Sequence, residues 1–475
     1  MTSRRVAVIG GGLGGLTAAG LLAREGFDVT VFEAGPTPGG KAQVLRSGGL
    51  TLDTGPTLLT LPHLVRQTFE GLGAKELLPR LMELPEQCVY RFPDGCDFTA
   101  YADLEKTARS AGALRPSDAN GLRRFYAEAE EIWKAAGEPY LEAPFEGMPA
   151  FMARVARRGL SAMTLGMKLG TLDELARKHF RTTHLRQFAG RFATYAGASP
   201  YEASAAFAMI PHLERAFGVF HVEGGMGALA QALCRAAERQ GARVRLNAKA
   251  EWGRKGGAFE AGPRGEREPF DAVVVNADPL EAQGRSGEPL ALSGYVLLLE
   301  ADARLPLSHH TVLFSRDYRR EFDQLFSGNA PDDPTVYLCH PVATDPSMAP
   351  EGRSGLFVMA NAPATGDADR PWADAAPLRD KCLGLLDKVV PGARLRVLGE
   401  RTPSDFAKQG APGGSIYGFL PHGRFGPFRR PTLRGDAPGL FFAGGGTHPG
   451  GGVPLVMLSG RFAAGLVREH LGGAR

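Results

Sequence analysis

The chain has 475 residues, more than one hydrophobic core supports, so two intertwined domains are expected. Its 55 Lys and Arg against 51 Asp and Glu leave a formal net charge of +4, too little to argue for a nucleic-acid partner, and none is expected. Five cysteines at 88, 96, 234, 339 and 382 form no C-x-x-C pair, which reads as reduced thiols in a cytoplasm and excludes a disulfide framework or a zinc site of ordinary spacing.

Val6-Ala7-Val8-Ile9 reads as a buried parallel strand. It runs into Gly10, Gly12 and Gly15 at the G-x-G-x-x-G spacing, then into a helix with Leu16, Ala19, Leu22 and Ala23 on one face. Gly26 closes that helix, and Phe27 to Phe32 forms a second strand ending at Glu33. Gly10 permits a tight turn, Gly12 lets the backbone approach a pyrophosphate, and Gly15 lets helix and strand pack closely. Leu13 and Gly14 open the helix, whose free N–H groups and positive end attract the anion. Glu33 accepts hydrogen bonds from a ribose and repels a 2′-phosphate, which argues against NADP. The apolar run after Arg4-Arg5 belongs to this fingerprint, so no export signal is expected. No run of about 18 apolar residues suggests a membrane-spanning helix.

Pro36 to Lys41 forms a turn, Gly49 to Leu52 a short strand, and Asp53 to Thr57 a second turn. Gly40 and Lys41 offer another approach to the cofactor, with Lys41 pairing a phosphate or covering a flavin. Gly55, Pro56 and Thr57 can lay backbone against a ring system. The plainer alternative is two surface turns. Residues 62–84 read as a helix, with Pro62 in its first turn and a stripe of Leu64, Val65, Phe69 and Leu72. Cys88 to Phe92 reads as a strand turning at Asp94-Gly95, and a helix starts near Asp118. In 145–175, Phe151, Met152, Val155, Leu160, Met163, Leu165 and Met167 alternate with Arg154, Arg157, Arg158 and Lys168. That texture suits an interfacial segment on an anionic bilayer, or an ordinary surface helix pair.

A helix with Leu229, Leu233 and Ala236, then strands at Arg243–Leu246 and Phe270–Asn276, return the chain to the cofactor. Strands at Gly294–Glu300, Thr311–Phe314, Thr335–Cys339, Gly355–Met359 and Arg394–Leu398 suggest a second sheet, interrupted by a helix at 377–389. His309-His310 reads as a strand edge: no third ligand stands at suitable spacing, and no metal is expected. Gly439 to Phe442 is a last strand, followed by a glycine-rich turn and a helix toward Leu471. The helix amino terminus, Gly452 to Leu455, aims N–H groups and a positive dipole at whatever lies before it. His448, in the turn, reads as a general base or a structural hydrogen-bonder.

Ile9 to Pro56, with the run Gly444-Gly445-Gly446-Thr447-His448-Pro449-Gly450-Gly451-Gly452-Val453 and Ser459, resembles the bacterial-type carotenoid (phytoene) desaturases of the FAD amine oxidase and desaturase superfamily. The likeness extends from Val6 to Leu471. It implies an α/β fold with a Rossmann-type FAD-binding domain from 1–85, 216–285 and 405–475. An α+β substrate domain from 86–215 and 286–404 is interleaved with it. The implied FAD contacts are Gly10, Gly12, Leu13, Gly14, Gly15, Glu33, Gly40, Lys41, Gly55, Pro56, Thr57, Gly444, Gly445, Gly452, Val453, Pro454 and Leu455, with the backbone of Val244 on the adenine. Lys41 stands where the family usually has arginine. Gly445 stands where amine oxidases commonly carry an acid, which points away from amine oxidation.

Arg191–Tyr195, Pro211–Glu214, Gly414–Gly418 and Phe428–Pro431 are similar to patches of the enzymes acting on hydroxylated carotenoid ends. The implied reaction is 3,4-desaturation of a 1-hydroxy carotenoid, with phytoene as the runner-up substrate. A carotenoid saturase or isomerase, an amine-oxidase-like flavoenzyme and a non-catalytic prenyl-binding relative are the other readings. The expected chemistry is hydride loss from a polyene carbon to flavin N5 with proton loss from its neighbour, in a dry tunnel. Glu214, His212 and Tyr195 are the candidate proton acceptors, and oxygen or a quinone is the electron acceptor. The expected location is cytoplasmic, peripheral on the inner face of the membrane.

Overall fold

Val6, Ala7 and Val8 are completely buried because their strand, Arg5–Ile9, lies in the middle of a sheet covered on both faces. The sheet is parallel, in the order Leu440–Phe442, Ala272–Val275, Arg5–Ile9, Asp28–Phe32, Arg243–Arg245. Side chains alternate across it. Val6 and Val8 pack on Ala18, Ala19 and Leu22 of helix Leu13–Arg24 and on Ala463 and Val467 of helix Val453–Leu471. Ala7 faces Phe259 and Phe270 of a three-stranded antiparallel sheet, Ala250–Lys255, Ala258–Pro263 and Glu268–Phe270. The structure, a computed structural model, describes residues 4–159, 162–163, 169–284 and 287–472.

A second sheet has seven strands in the order Leu395–Arg401, Ser293–Ala301, Ser354–Ala362, Val336–Cys339, His310–Leu313, Glu86–Arg91, Asp97–Tyr101. Neighbours are antiparallel except His310–Leu313 with Glu86–Arg91. Leu297 and Leu299 point at Leu378, Cys382 and Leu386 of helix Ala375–Val389. Val296 and Leu298 point to the other face, with Phe357. The parallel sheet with its helices and this larger sheet enclose the cavity described below.

The expected helix over 62–84 is shorter. It spans Pro62–Gly71 and stops at Gly73, which has φ +60° and so a conformation that favours glycine. A strand, Leu81–Glu83, follows and pairs with Phe220–Val222. The helix expected from Asp118 spans Pro116–Ile132, widens to i→i+5 bonding over Trp133–Gly137, and continues to Glu142. All five cysteines are free.

Helix Tyr318–Phe326 buries Glu321 at 1% exposure, where it accepts bonds from Thr335 N at 3.0 Å, Thr335 Oγ1 at 2.6 Å and Ser315 Oγ at 2.7 Å. Burial pushes this carboxyl from 4.5 up to about 7. The unfolded chain releases the proton near 4.5 while the folded chain keeps it to about 7. The contribution of Glu321 is therefore fully present below the lower value and falls as pH rises through the window, by roughly 3 kcal/mol. Urea midpoints at about pH 5 and about pH 8 are expected to differ less in Glu321→Gln than in the parent.

Candidate active site

Two of the helices that begin without a side-chain cap open onto one cavity. Leu13–Arg24 follows Gly12, Val453–Leu471 follows Gly452, and neither has an acid in its first turn. Both first turns border one cavity of about 1940 Å³. Free N–H groups at such ends form ready anion sites. The two glycine clusters touch: a Cβ on Gly14 would lie 3.0 Å from Gly444 N. Asn276, at the end of strand Ala272–Val275, sits between them. Its Nδ2 donates to Gly10 O at 3.3 Å, and a Cβ on Gly12 would stand 2.6 Å from that nitrogen. Ser459 Oγ accepts from Gly444 N at 2.8 Å and donates to Val456 O at 2.6 Å, which fixes the second turn.

Glu33 stands at the cavity wall with each oxygen oriented. Oε2 accepts from Gly11 N and Oε1 from Gly35 N, both at 2.7 Å. Every cofactor contact expected from the sequence borders this cavity except Gly14, Gly15 and Val244. Gly14 and Gly15 serve helix packing: a Cβ on Gly15 would lie 2.3 Å from Gly10 O. Val244 is in register with Val31 in the sheet, and the wall beyond Glu33 is formed instead by Lys249, Ala250 and Trp252. Gly55 allows its turn to close on the Lys41 backbone, since a Cβ there would meet Lys41 O at 2.0 Å.

Lys41 Nζ donates to Ile416 O at 2.8 Å. Burial lowers its pKa, and the nearby Asp278 opposes that shift. Arg430 Nη1 donates to Gly445 O at 2.7 Å, and burial lowers its pKa as well. Burial raises Asp278, while Lys41 and Arg430 hold it down. Lys41, Asp278 and Arg430 thus form a charged group on the wall beside the second glycine turn. Asn276 entered the sequence reading only as the end of a strand and Arg430 only as part of a patch, and nothing in the local pattern singled out Asp278.

His448 does not border the cavity. It is 1% exposed against the rings of Tyr140, 4.5 Å away, and Phe462, 5.9 Å away, and burial pushes its pKa down to about 3. His448 therefore packs among aromatic rings out of reach of the cavity, which is not where a general base for a bound molecule would stand.

The rest of the cavity is mainly apolar. Trp133, Leu141, Phe151 and Met152 line one part, and Val296, Phe357 and Met359 another. Polar groups are few. Thr57 Oγ1 and Tyr337 OH share a 2.7 Å bond. Tyr195 OH donates to Glu214 Oε1 at 2.5 Å and accepts from Arg191 Nη1 and Nη2 at 3.3 Å each. Arg191 lies over the rings of Phe192 and Tyr195, 4.7 and 5.2 Å away. Burial raises the Glu214 carboxyl, against the pull of Arg191 and the Tyr195 bond. Tyr195 and Arg191 border the cavity, and Glu214 stands behind Tyr195. His212 is not brought to it. It faces the Trp133 ring at 6.5 Å, and burial and Arg215 lower its pKa.

In the segment 145–175, helix Met148–Ala156 turns Met148, Phe151, Met152 and Val155 to the cavity. Its basic residues are engaged: Arg157 pairs with Glu142 at 2.9 Å, Arg158 with Glu138 at 3.0 Å, and Arg154 Nε donates to Pro139 O at 3.0 Å. Leu160, Leu165, Met167 and Lys168 lie outside the described residues. Among the described residues, no helix is long and apolar enough to cross a membrane.

Residues 13–468 match the family of flavin containing amine oxidoreductases. The chain belongs to this family. It is 37% identical to a hydroxyneurosporene desaturase of Cereibacter sphaeroides, over 97% of this chain and 96% of that one. It is 32% identical to a zeta-carotene-forming phytoene desaturase of Myxococcus xanthus, over 98% and 94%. Cyclohexylamine oxidase from Brevibacterium oxydans shares its fold, with a TM-score of 0.63 and 17% identity over 99% of this chain and 100% of that one.

This flavin oxidoreductase carries the groups that FAD requires. The first uncapped helix offers N–H groups for a diphosphate, and Glu33 offers oriented acceptors for ribose hydroxyls. The second uncapped helix offers donors for the pyrimidine edge of a flavin. The cavity exceeds by about twofold the roughly 1,000 Å³ of a large single-ligand site. It has room for a dinucleotide and a second long molecule.

Proposed function

We propose that this FAD-dependent enzyme is a carotenoid desaturase that forms the 3,4 double bond of a 1-hydroxy carotenoid. The hydroxyneurosporene desaturase similarity supports the substrate class. The observation that carries the reading is the polar cluster Arg191–Tyr195–Glu214 at the mainly apolar part of a cavity continuous with the flavin site. An unhydroxylated polyene offers these groups no hydrogen bond, whereas a hydroxyl does.

Bound FAD supplies the two-electron acceptor. The apolar walls exclude water and hold the polyene in one orientation. C3 of the substrate is two bonds from C1, so the group that holds the hydroxyl also stands beside the reacting carbons. Glu214, joined to the cavity through the Tyr195 hydroxyl, takes the proton at Oε1. Oxygen or a quinone reoxidises the cofactor. In this reading 1–85, 216–285 and 405–475 form the flavin domain, and 86–215 and 286–404 the substrate domain. Peripheral lipid contact on the cytoplasmic face falls at the cavity rim. There Phe425 is 58% exposed, and Phe428 meets Phe151 at 4.7 Å between ring centres.

Cells supplying either a 1-hydroxy carotenoid or phytoene test the substrate. The expected result is conversion of the hydroxylated pigment to one with a longer conjugated system, with phytoene unchanged. Conversion of phytoene alone overturns the assignment.

A further inference from the structure

The histidine pair read as a strand edge acquires a third neighbour in the fold. His310 opens strand His310–Leu313, and its cross-strand partner in strand Val336–Cys339 is Cys339. His340 N donates to His309 O at 2.7 Å and locks the register. One ligand atom each from His309, His310 and Cys339 lies within 4.8 Å of the other two. The three residues are 4%, 2% and 2% exposed.

Both imidazoles are anchored by the same nitrogen. His310 Nδ1 meets Gln87 O at 3.1 Å, and His309 Nδ1 meets Thr344 Oγ1 at 2.7 Å. A carbonyl oxygen only accepts, so His310 carries its proton on Nδ1 and leaves a bare lone pair on Nε2. The Nε2 atoms of both residues are buried without a hydrogen-bond partner. Buried acceptors are seldom left so, because each costs about 1–3 kcal/mol. An imidazole held by one nitrogen with the other free is the arrangement that outer-shell groups impose on metal ligands.

We propose that His309 Nε2, His310 Nε2 and Cys339 Sγ form a buried site for a soft metal ion, with Cu(I) as its preferred occupant. Thiolate and imidazole suit Cu(I) and Zn(II). Charge separates the two. One thiolate and Cu(I) sum to zero, which suits burial, whereas Zn(II) leaves a net positive charge within the field of Arg191. Structural zinc also takes four ligands, and the cluster supplies three. A cysteine thiol is protonated at neutral pH, so binding Cu(I) forms the Cu–S bond and releases one proton from sulfur. The copper stays Cu(I) throughout. The site lies one layer behind the cavity wall: the His310 ring is 5.7 Å from that of Tyr337, which borders the cavity with Val312. The ion would tie this strand pair together and steady that wall.

The test is anaerobic titration of the FAD-loaded full chain with Cu(I) against a chromophoric chelator, and in parallel with Zn(II). One Cu(I) per chain is expected, with one proton released and a rise in Tm of roughly 2–3 °C at saturating ion. Cys339→Ser and His310→Gln are expected to lose that equivalent, whereas Cys382→Ser, on the far helix, keeps it. X-ray absorption on the unmodified protein gives a check independent of variant folding, with one sulfur and two nitrogen neighbours expected. Failure to retain either ion, undiminished binding in Cys339→Ser, or an absence of sulfur from the metal's neighbours overturns the proposal. Zinc bound more tightly than Cu(I) overturns the choice of ion.

Discussion

Gly15→Val is expected to give a protein that comes off purification without flavin. The Cβ alone would stand 2.3 Å from Gly10 O and 3.1 Å from both Asn276 Cβ and Val8 Cγ1. The nearest of these is backbone, in the turn that also positions Gly12. It yields only by moving the helix start away from the strand. Overpacking of this kind costs about 1–3 kcal/mol, and the displacement removes the anion site besides. Gly460→Val is its counterpart on the last helix, with a Cβ 2.2 Å from Gly14 O. Each is expected to lower the ratio of flavin to protein absorbance to near the apoprotein level and to lower the urea midpoint. Gly465→Ala is the control, since nothing lies within 4 Å of its Cβ. That change is expected to leave flavin content intact and to raise stability by roughly 0.5–1 kcal/mol.

The second large effect concerns the buried cluster. Glu214→Leu takes away the buried carboxylate whose charge balances the Arg191 guanidinium across Tyr195, and leaves Tyr195 OH without the oxygen it donates to. Breaking one side of such a pair costs about 3–5 kcal/mol, whereas replacing both sides by apolar groups is often nearly neutral. Arg191→Leu with Glu214→Leu is therefore expected to recover most of the lost stability in denaturant titrations. It is not expected to recover function: kcat/KM for the hydroxylated carotenoid should stay depressed. A double variant that regains stability and full turnover together would remove Glu214 and Arg191 from the reaction.

The parts of the fold legible in the sequence were those written in local pattern. The strand Val6–Ile9, the G-x-G-x-x-G turn and the last glycine run name their own conformations. Gly10, Gly444 and Gly452 have φ of +99°, +109° and +105°, and side chains rarely adopt such values. The strand over Gly294–Glu300 was equally readable, as an apolar run that is buried on both faces. The stop at Gly73, six residues before Pro79, was also present as a signal, yet the apolar stripe suggested a longer helix.

What local pattern does not carry is register between distant segments. Asn276 meets Gly10 across 266 positions, and Lys41 meets Ile416 across 375. Strand Val44–Ser47 shows itself only by pairing with Leu50–Asp53. Cys339 becomes a neighbour of His310 through strand pairing alone, which residue spacing does not show. Of the proposed proton acceptors, the helix Met209–Phe217 sends Glu214 toward Tyr195 and His212 toward Trp133, a division set by helical rotation.

The most direct measurement is a single turnover without oxygen. FAD-loaded protein is mixed anaerobically with a 1-hydroxy carotenoid, and the flavin and polyene spectra are recorded together. The account predicts that the flavin bleaches while the polyene absorption moves to longer wavelength, one molecule of each per event. A polyene that binds in the cavity while the flavin keeps its oxidised spectrum would contradict it.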